Sequence, residues 1–193
     1  MHVILAPAAR RWTGAGSLLL DGGRHLPQAH FTSELRGREA AMTDEEQQLA
    51  FAQGVLAQQP FSVLMGARLT AFGGGEAVLA LDVRDELRQQ NGYLHGGVLS
   101  YAADNALTFA AGSVLGPDLL TVGFTIDYLR PGEGRLLRAH ASVVDSSRSR
   151  ATCRCELYTV DADGGEHCCA LAQGAVVVPG AARTEPQRAG HTG

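Results

Sequence analysis

The residue of this sequence that most clearly could do chemistry is Asp104. It stands in residues 91–112, NGYLHGGVLSYAADNALTFAAG, a segment made mainly of Gly, Ala, Val, Leu, Tyr and Phe. An ionised carboxylate without a partner is costly to bury, so such groups are usually paired, neutralised or used. Two interpretations follow. Asp104 either caps a loop or pairs with an arginine as a structural carboxylate, or it activates a water molecule.

The tripeptide His95-Gly96-Gly97 stands where a loop is expected to become a helix. Backbone N–H groups in the first turn of a helix have no intrahelical partner and carry partial positive charge. Because two glycines leave this turn without side chains, a ligand oxygen could approach the amides, as an anion or oxyanion site requires. The same residues could also form only a tight turn, with His95 as a polar neighbour.

The spacing between Gly97 and Asp104 indicates a site shared by two chains. Seven residues are close to two helical turns, so both residues face the same side of the helix, separated by about 10 Å along its axis. One reacting carbonyl needs its donors and its base within about 3 Å, which excludes a site built from one helix. Two such helices packed antiparallel about a two-fold axis would bring Gly97 of one chain opposite Asp104 of the other. We therefore expect an obligate dimer, either alone or as a dimer of dimers.

Two further polar residues, Asn105 and Thr108, lie on the same otherwise apolar helix. They indicate a hydrated stripe beside Asp104. This stripe favours a functional site over a purely structural carboxylate, and it makes both residues candidates for contacting a substrate.

The elements that must position these residues follow from periodicity and turn signals. A helix is predicted from Thr43, where Glu46 completes a capping box, to Pro60. A hairpin turning at residues 73–75, a loop over residues 85–94 and a buried helix over residues 97–115 come next. Antiparallel strands follow to residue 178. Since an apolar helix must be covered on several sides, the sequence predicts an α+β class in which an antiparallel sheet wraps around one long buried helix.

The composition limits the classes of function. A chain of 193 residues is enough for one ordinary domain, and its net charge of −4 without a basic face makes nucleic acid an unexpected partner. No apolar run approaches the roughly 20 residues of a membrane span. The spacings of the four cysteines do not match the usual zinc patterns, and we interpret them as buried thiols of a cytoplasmic protein that needs no metal or cofactor. Residues 1–41 are expected to be a disordered extension, residues 42–179 the domain, and residues 180–193 a disordered tail.

The segment QQNGYLHGGVLSYAADNA resembles the hot-dog-fold acyl-CoA thioesterases of the phenylacetate-pathway (PaaI) type. In that family the helix opens with His-Gly-Gly and a catalytic Asp follows nine residues after the His, a spacing that His95 and Asp104 keep. The segment TVGFTIDYLRP is similar to the next strand of the family, which ends in aromatic–x–x–Pro. The resemblance covers about residues 60–178 and implies the hot-dog fold and hydrolysis of an acyl-CoA thioester.

The resemblance also implies roles for individual residues. Asp104 would be the general base or nucleophile, Gly97 with Gly96 would supply the oxyanion amide, and His95 would orient the thioester or the loop. Thr121 falls where some members carry a hydroxyl that holds the attacking water. Asn91 is the candidate for an asparagine that the family often has before the His, although it stands four residues before His95, whereas six is the usual gap in several members.

Other functions remain open on the sequence alone. Arginines near strand ends are candidates for meeting the CoA phosphates, although such residues are more often simply solvated: Arg130, Arg135, Arg148 and Arg150. A non-catalytic hot-dog module that binds acyl-CoA or a lipid would keep the fold but would not need Asp104. A hot-dog dehydratase is the third possibility, but such enzymes use a differently placed His with a carboxylate, a pattern that this chain lacks.

Overall fold

The computed structural model describes residues 42–180. These residues form three α-helices and six strands: α1 (Asp44–Ala57), α2 (Pro60–Met65), β1 (Arg68–Gly73), β2 (Glu76–Asp82), α3 (Gly96–Leu115), β3 (Leu120–Tyr128), β4 (Leu136–Ser146), β5 (Arg150–Val160) and β6 (Glu166–Val177). The extension and the tail expected at residues 1–41 and 181–193 lie outside the described residues.

The six strands form one antiparallel sheet in the order β1-β2-β4-β5-β6-β3. Helix α3 lies against this sheet, and thirteen of its residues, from Val98 to Ala111, are buried. Its middle is rich in alanine, and these small side chains let the helix pack closely against the sheet. The architecture confirms the α+β hot-dog arrangement, a sheet wrapped around one long buried helix. Within residues 42–180, no helix, α3 included, combines the length and apolar character that a membrane span needs.

Helix α1 begins as its capping signal predicts. The Thr43 hydroxyl accepts a hydrogen bond from the Glu46 N–H, and the Glu46 carboxylate accepts one from the Thr43 N–H. Only Ala52 and Leu56 of this helix are buried. The Gln53 side chain donates to the Leu69 carbonyl oxygen, so α1 lies along β1, one of the two edge strands of the sheet.

The segment after Pro60 differs from the sequence expectation. We expected Pro60 to end the first helix and Phe61 to open a strand, but α1 ends at Ala57 and Pro60 begins a second, six-residue helix. Proline is favoured at the first helical position because its missing N–H has no partner there. Gly66 then ends α2 with a positive φ of 70°, and β1 begins only at Arg68.

The alternation expected along β3 is interrupted by a bulge. The pairing of β3 with β6 shifts between Thr121 and Gly123, so an extra residue stands at Val122. Beyond the bulge, Phe124 and Ile126 pack on the core as expected. By simple alternation Val122 would share their face, but it is 61% exposed, whereas the Thr121 hydroxyl contacts α3. The bulge therefore brings Thr121, which simple alternation would point away, onto the helix side of the strand.

Candidate active site

The first turn of α3 is capped by His95. Its Nδ1 atom accepts a hydrogen bond of 2.9 Å from the Gly97 N–H. The amide that the sequence favoured as the oxyanion donor is therefore held within the chain. Gly96 is the first helical residue, so its N–H has no intrahelical acceptor. Because Nδ1 acts as an acceptor, a neutral His95 ring carries its proton on Nε2, and its side chain is exposed.

Two residues that the sequence analysis missed hold the same turn from the other side. The Tyr128 hydroxyl, at the end of β3, donates to the Gly96 carbonyl oxygen at 3.1 Å and lies 2.8 Å from the Ser100 hydroxyl. A signal for Ser100 was available, since Ser100, Asp104 and Thr108 recur every four residues and form one polar row along α3. Tyr128 is the aromatic residue of the aromatic–x–x–Pro ending of β3, but that pattern did not indicate its contact with Gly96, which depends on tertiary packing.

Asp104 lies in the middle of this polar row and is 5% exposed. Its Oδ1 atom has no hydrogen-bond partner, and among residues 42–180 no arginine or histidine forms a salt bridge with it. Burial raises the pKa of the Asp104 carboxyl above its ordinary value, and a hydrogen bond with Thr121 opposes the rise. Within the described residues, Asp104 therefore does not have the arginine partner that a structural ion pair requires.

Two hydroxyl groups accompany the carboxylate. Thr108 donates to the Asp104 backbone carbonyl at 2.8 Å, and its Oγ1 lies 2.8 Å from the Oγ1 of Thr121. Ser100 and Tyr128 meet at the start of α3, whereas Thr108 and Thr121 meet farther along it. Helix α3 and strand β3 therefore run side by side in opposite directions, and the polar row faces β3.

A cleft of about 450 Å³ opens at the start of α3. It is lined by Gly96 and Leu99 of α3, by Tyr128 of β3 and by Gln89 of the preceding loop. Arg130 and Pro131 line both this cleft and a smaller one of about 290 Å³ beside Asp161 and His167.

The remaining candidate residues lie at different places. Asn91 is exposed in the loop and does not line the cleft, which Gln89 lines instead. Asn105 is buried, and its amide donates to the Tyr101 carbonyl oxygen. The exposed Arg148 and Arg150 lie at the β4–β5 turn, where Arg150 pairs with Val177. That turn is at the opposite end of β6 from Arg130, whose N–H bonds to Cys169.

The described chain by itself does not bring the helix N-terminus to Asp104. Gly96 and Asp104 are eight residues apart on one continuous helix, which corresponds to about 12 Å along its axis. A thioester whose carbonyl group lies within reach of the Gly96 N–H is therefore out of reach of the Asp104 carboxylate of the same chain. The two halves of the candidate site can act together only if a second chain supplies one of them.

Comparison with known proteins identifies a family. Residues 91–165 match the model of the Thioesterase superfamily. The chain is 30% identical over 87 residues to a 1,4-dihydroxy-2-naphthoyl-CoA hydrolase of Listeria monocytogenes, an alignment that covers 44% of this chain and 71% of that protein.

Solved structures with the same fold cover most of the described residues. A thioesterase family protein of Silicibacter pomeroyi is 29% identical with a TM-score of 0.62, covering 68% of this chain and 95% of the other. A mutant of the phenylacetic acid degradation protein PaaI of Thermus thermophilus is 32% identical with a TM-score of 0.55, covering 62% and 98%. The PaaI protein of E. coli is 26% identical with a TM-score of 0.59, covering 69% and 93%.

Proposed function

Because the chain belongs to the Thioesterase superfamily, we propose that it hydrolyses an acyl-CoA thioester to a free carboxylic acid and CoA, at sites formed between two subunits. The relative from Listeria is named for a CoA thioester of an aromatic acid, which supports CoA as the thiol and includes aromatic acyl groups among the substrates to test. Asp104 is the proposed base or nucleophile.

The observation that carries the proposal is the buried carboxylate of Asp104, whose Oδ1 atom has no hydrogen-bond partner and which forms no salt bridge within residues 42–180. A fold gains little from a buried carboxylate that has no cationic partner, since such burial is unfavourable. Its raised pKa also makes the carboxylate a stronger base than a solvated aspartate. The unfavourable burial of this carboxylate is explained if the Asp104 Oδ1 atom accepts a proton from water or attacks the thioester directly.

The oxyanion would be held by the start of α3. Since His95 occupies the Gly97 N–H, we assign the donor role to the Gly96 N–H, which points out of the helix start and borders the cleft. The positive end of the helix dipole adds to this donor. His95, the N-cap residue next to Gly96, is the proposed second donor to this oxygen through its Nε2–H.

A dimer formed through β3 would assemble these groups. β3 is an edge strand, and no described element pairs with its outer side. A two-fold axis that pairs β3 antiparallel with its copy sets the Tyr128 end beside the partner's Thr121 end. Because α3 lies antiparallel to β3, the start of α3 lies beside Tyr128. Pairing of the two β3 strands therefore brings Gly96 of one chain opposite Thr108 and Asp104 of its partner. The open edge of β3 and the separation of Gly96 from Asp104 within one chain thus favour the same two-fold dimer.

In the proposed reaction the water oxygen forms a bond to the thioester carbonyl carbon while Asp104 takes a proton from that water. The carbonyl π electrons move to oxygen, where the Gly96 N–H stabilises the negative charge. When the carbonyl re-forms, the carbon–sulfur bond breaks and CoA leaves as a thiolate, which receives a proton from Asp104 or from solvent. The polar pair Thr108–Thr121 is suited to holding the attacking water.

The same dimer would gather arginines for the CoA phosphates. Arg130 lies at the Tyr128 end of β3, whereas Arg148 and Arg150 lie at the end of the sheet where β3 begins. Antiparallel pairing of the two β3 strands exchanges these ends, so the partner's β4–β5 turn approaches Arg130. Arginines on both sides of the cleft mouth would then face the negative charges of CoA.

The test is the Asp104→Asn variant, which keeps the shape and removes the basicity. We expect kcat for an acyl-CoA to fall by about 10²-fold or more, the scale of a lost proton acceptor, with a much smaller change in KM. The substrate is found first by following CoA thiol release over short, medium, long and aromatic acyl-CoAs.

Thermal unfolding of the same samples distinguishes the catalytic role from a structural one. Since burial raises the folded-state pKa of Asp104, the ionised carboxylate destabilises the fold above that pKa, and this destabilisation disappears below the unfolded-state pKa. Asp104→Asn should therefore be at least as stable as wild type at neutral pH and lose any advantage in acid. A variant that melts earlier but remains fully active per folded molecule would exclude the catalytic role. A wild-type protein that binds acyl-CoA without releasing thiol would favour a binding module.

A further inference from the structure

The peptide unit between Gly96 and Gly97 is hydrogen-bonded at both ends. Its carbonyl oxygen accepts from the Tyr128 hydroxyl at 3.1 Å, and its N–H donates to His95 Nδ1 at 2.9 Å. One strand residue and the helix-capping histidine thus meet through a single amide. No contact of Tyr128 with His95 is needed for one to influence the other.

The number of hydroxyl hydrogens fixes the direction of donation along this series of hydrogen bonds. A tyrosine hydroxyl has one hydrogen, and here it lies toward the Gly96 carbonyl oxygen. The 2.8 Å contact between the Ser100 and Tyr128 hydroxyls must then have Ser100 as the donor. The order of donation is Ser100 to Tyr128, Tyr128 to the Gly96 carbonyl, and the Gly97 N–H to His95.

The hydrogen bond from the Tyr128 hydroxyl to the Gly96 carbonyl oxygen makes the Gly97 N–H a stronger donor. Hydrogen bonds in a chain polarise one another, so a peptide whose oxygen accepts an O–H bond has a more strongly donating N–H. That N–H selects the His95 tautomer in which Nδ1 is bare and Nε2 carries the proton. It also fixes the ring plane, and hence the direction in which Nε2–H points.

The absence of a side chain at Gly96 makes room for Tyr128. A Cβ at Gly96 would lie 3.3 Å from the Tyr128 hydroxyl oxygen and 3.4 Å from the ring carbon that bears it. These distances are tighter than ordinary contacts. The ring fills the space that a side chain would take, and it forms a wall of the cleft at the helix start.

We propose that Tyr128, assisted by Ser100, is a positioning residue that holds the Gly96–Gly97 peptide and keeps His95 in the Nε2–H tautomer at the start of α3. This inference rests on the proposed function for its effect on catalysis, but its effect on the histidine is independent of any substrate. It assigns the aromatic residue at the end of β3 a role in organising the donors, separate from the chemistry of Asp104.

The test combines kinetics with the nitrogen spectrum of the ring. In Tyr128→Phe, which keeps the ring and removes the hydroxyl, we expect kcat to fall about fivefold to tenfold, the scale of one hydrogen bond, with KM nearly unchanged. In the full-length protein labelled with ¹⁵N-histidine, His95 should show a bare Nδ1 in wild type and a mixture of tautomers in the variant. The signal is assigned by its loss in His95→Gln.

Two further variants sharpen the test. Ser100→Ala should have a smaller effect, and the double variant with Tyr128→Phe should be no worse than Tyr128→Phe alone, because Ser100 acts through Tyr128. Tyr158→Phe is the matched control. It removes a tyrosine hydroxyl that is bonded to Glu156 away from the cleft, and it should leave kcat and the His95 spectrum unchanged.

Both effects of Tyr128→Phe are required. An unchanged His95 spectrum, or an unchanged kcat beside a changed spectrum, overturns the proposal. If the wild-type protein hydrolyses no thioester, the proposed function fails, and the histidine spectrum alone still decides whether Tyr128 controls the ring. If Tyr128→Phe does not fold, Ser100→Ala carries the same two measurements.

Discussion

At the scale of single residues, the carboxylate of Asp104 combines two opposing influences on its pKa. Burial raises the pKa, and the hydrogen bond with Thr121 lowers it. A base with a raised pKa is protonated, and inactive, at a higher pH than an ordinary aspartate. The acidic limb of kcat/KM should therefore lie above the pH at which a solvated aspartate titrates.

Thr121→Val tests this balance because it keeps the size of the side chain and removes the hydroxyl. Without that hydrogen bond the Asp104 pKa should rise further, so the acidic limb of kcat/KM should move to higher pH. Thr125→Val is the control, since Thr125 is exposed on the same strand and bonds weakly to the Gln173 carbonyl. A pH profile that moves equally in both variants, or in neither, would contradict the assigned environment of Asp104.

The individual residues also show how much of the candidate site could be predicted from the sequence. Asp104 stood out as a candidate because a carboxylate conflicts with an apolar helix, and Gly97 because it lies close to two helical turns before Asp104. The oxyanion donor was less predictable, since the choice between Gly96 and Gly97 depends on the His95 ring orientation. The contact of Tyr128 with Gly96 was not predictable, although the residue belongs to the aromatic–x–x–Pro ending of the strand, because its hydroxyl meets Gly96 only after β3 has been placed beside α3.

At the scale of elements, the position of β3 controls the site, because it carries both Thr121 and Tyr128. β3 is held by β6, where Gly174 faces Phe124. A Cβ at Gly174 would lie 2.5 Å from the Phe124 Cβ and 2.7 Å from the Gly123 carbonyl oxygen. Close approach of the two backbones therefore requires glycine at this position.

Gly174→Ala should push β3 away from β6 and disturb the site beside it. We expect a loss of about 1–3 kcal/mol in the free energy of unfolding, the usual range for overpacking, together with reduced kcat. Gly54→Ala is the control, because a Cβ there meets nothing within 4 Å on α1, and it should raise stability by about 0.5–1 kcal/mol. Denaturant unfolding of both variants measures the difference. Equal stabilities would show that β6 adjusts without strain.

Helices and strands were predictable where signals within a few residues determine them and tertiary contacts do not change the outcome. The capping box at Thr43, the three glycines of the hairpin and the apolar run of α3 each act within a few residues, and each gave the correct element. The Pro60 region was misjudged because proline can end one helix and begin another. The bulge at Val122 was missed because it arises from pairing with β6, a strand some fifty residues later.

At the scale of the whole molecule, the open edge of β3 and the divided site both require explanation. Val122 and Tyr128 are 61% and 53% exposed along an edge that no described strand covers. Unprotected sheet edges favour pairing with another strand, and a second copy of β3 would satisfy them. In the proposed dimer this pairing would give a two-fold assembly with two equivalent sites, each using Gly96 from one chain and Asp104 from the other.

Mixing two inactive variants tests this assembly most directly. Gly96→Pro removes the proposed donor at a position where proline suits a helix, and Gly96→Ala is its control, since it adds a comparable contact with Tyr128 but keeps the N–H. Each of Gly96→Pro and Asp104→Asn should be nearly inactive alone, whereas Gly96→Ala, which crowds Tyr128 in the same way but keeps the N–H, should be clearly more active than Gly96→Pro.

After subunit exchange between Gly96→Pro and Asp104→Asn, about a quarter of wild-type turnover should return, because half of the dimers are mixed and each has one intact site of two. A site confined to one chain predicts no recovery, since every chain in the mixture lacks one of the two groups. Exchange is verified by native mass spectrometry, which resolves the mixed dimer from both parents. A mixture that contains mixed dimers but remains as inactive as its parents would show that Gly96 and Asp104 do not act across the interface.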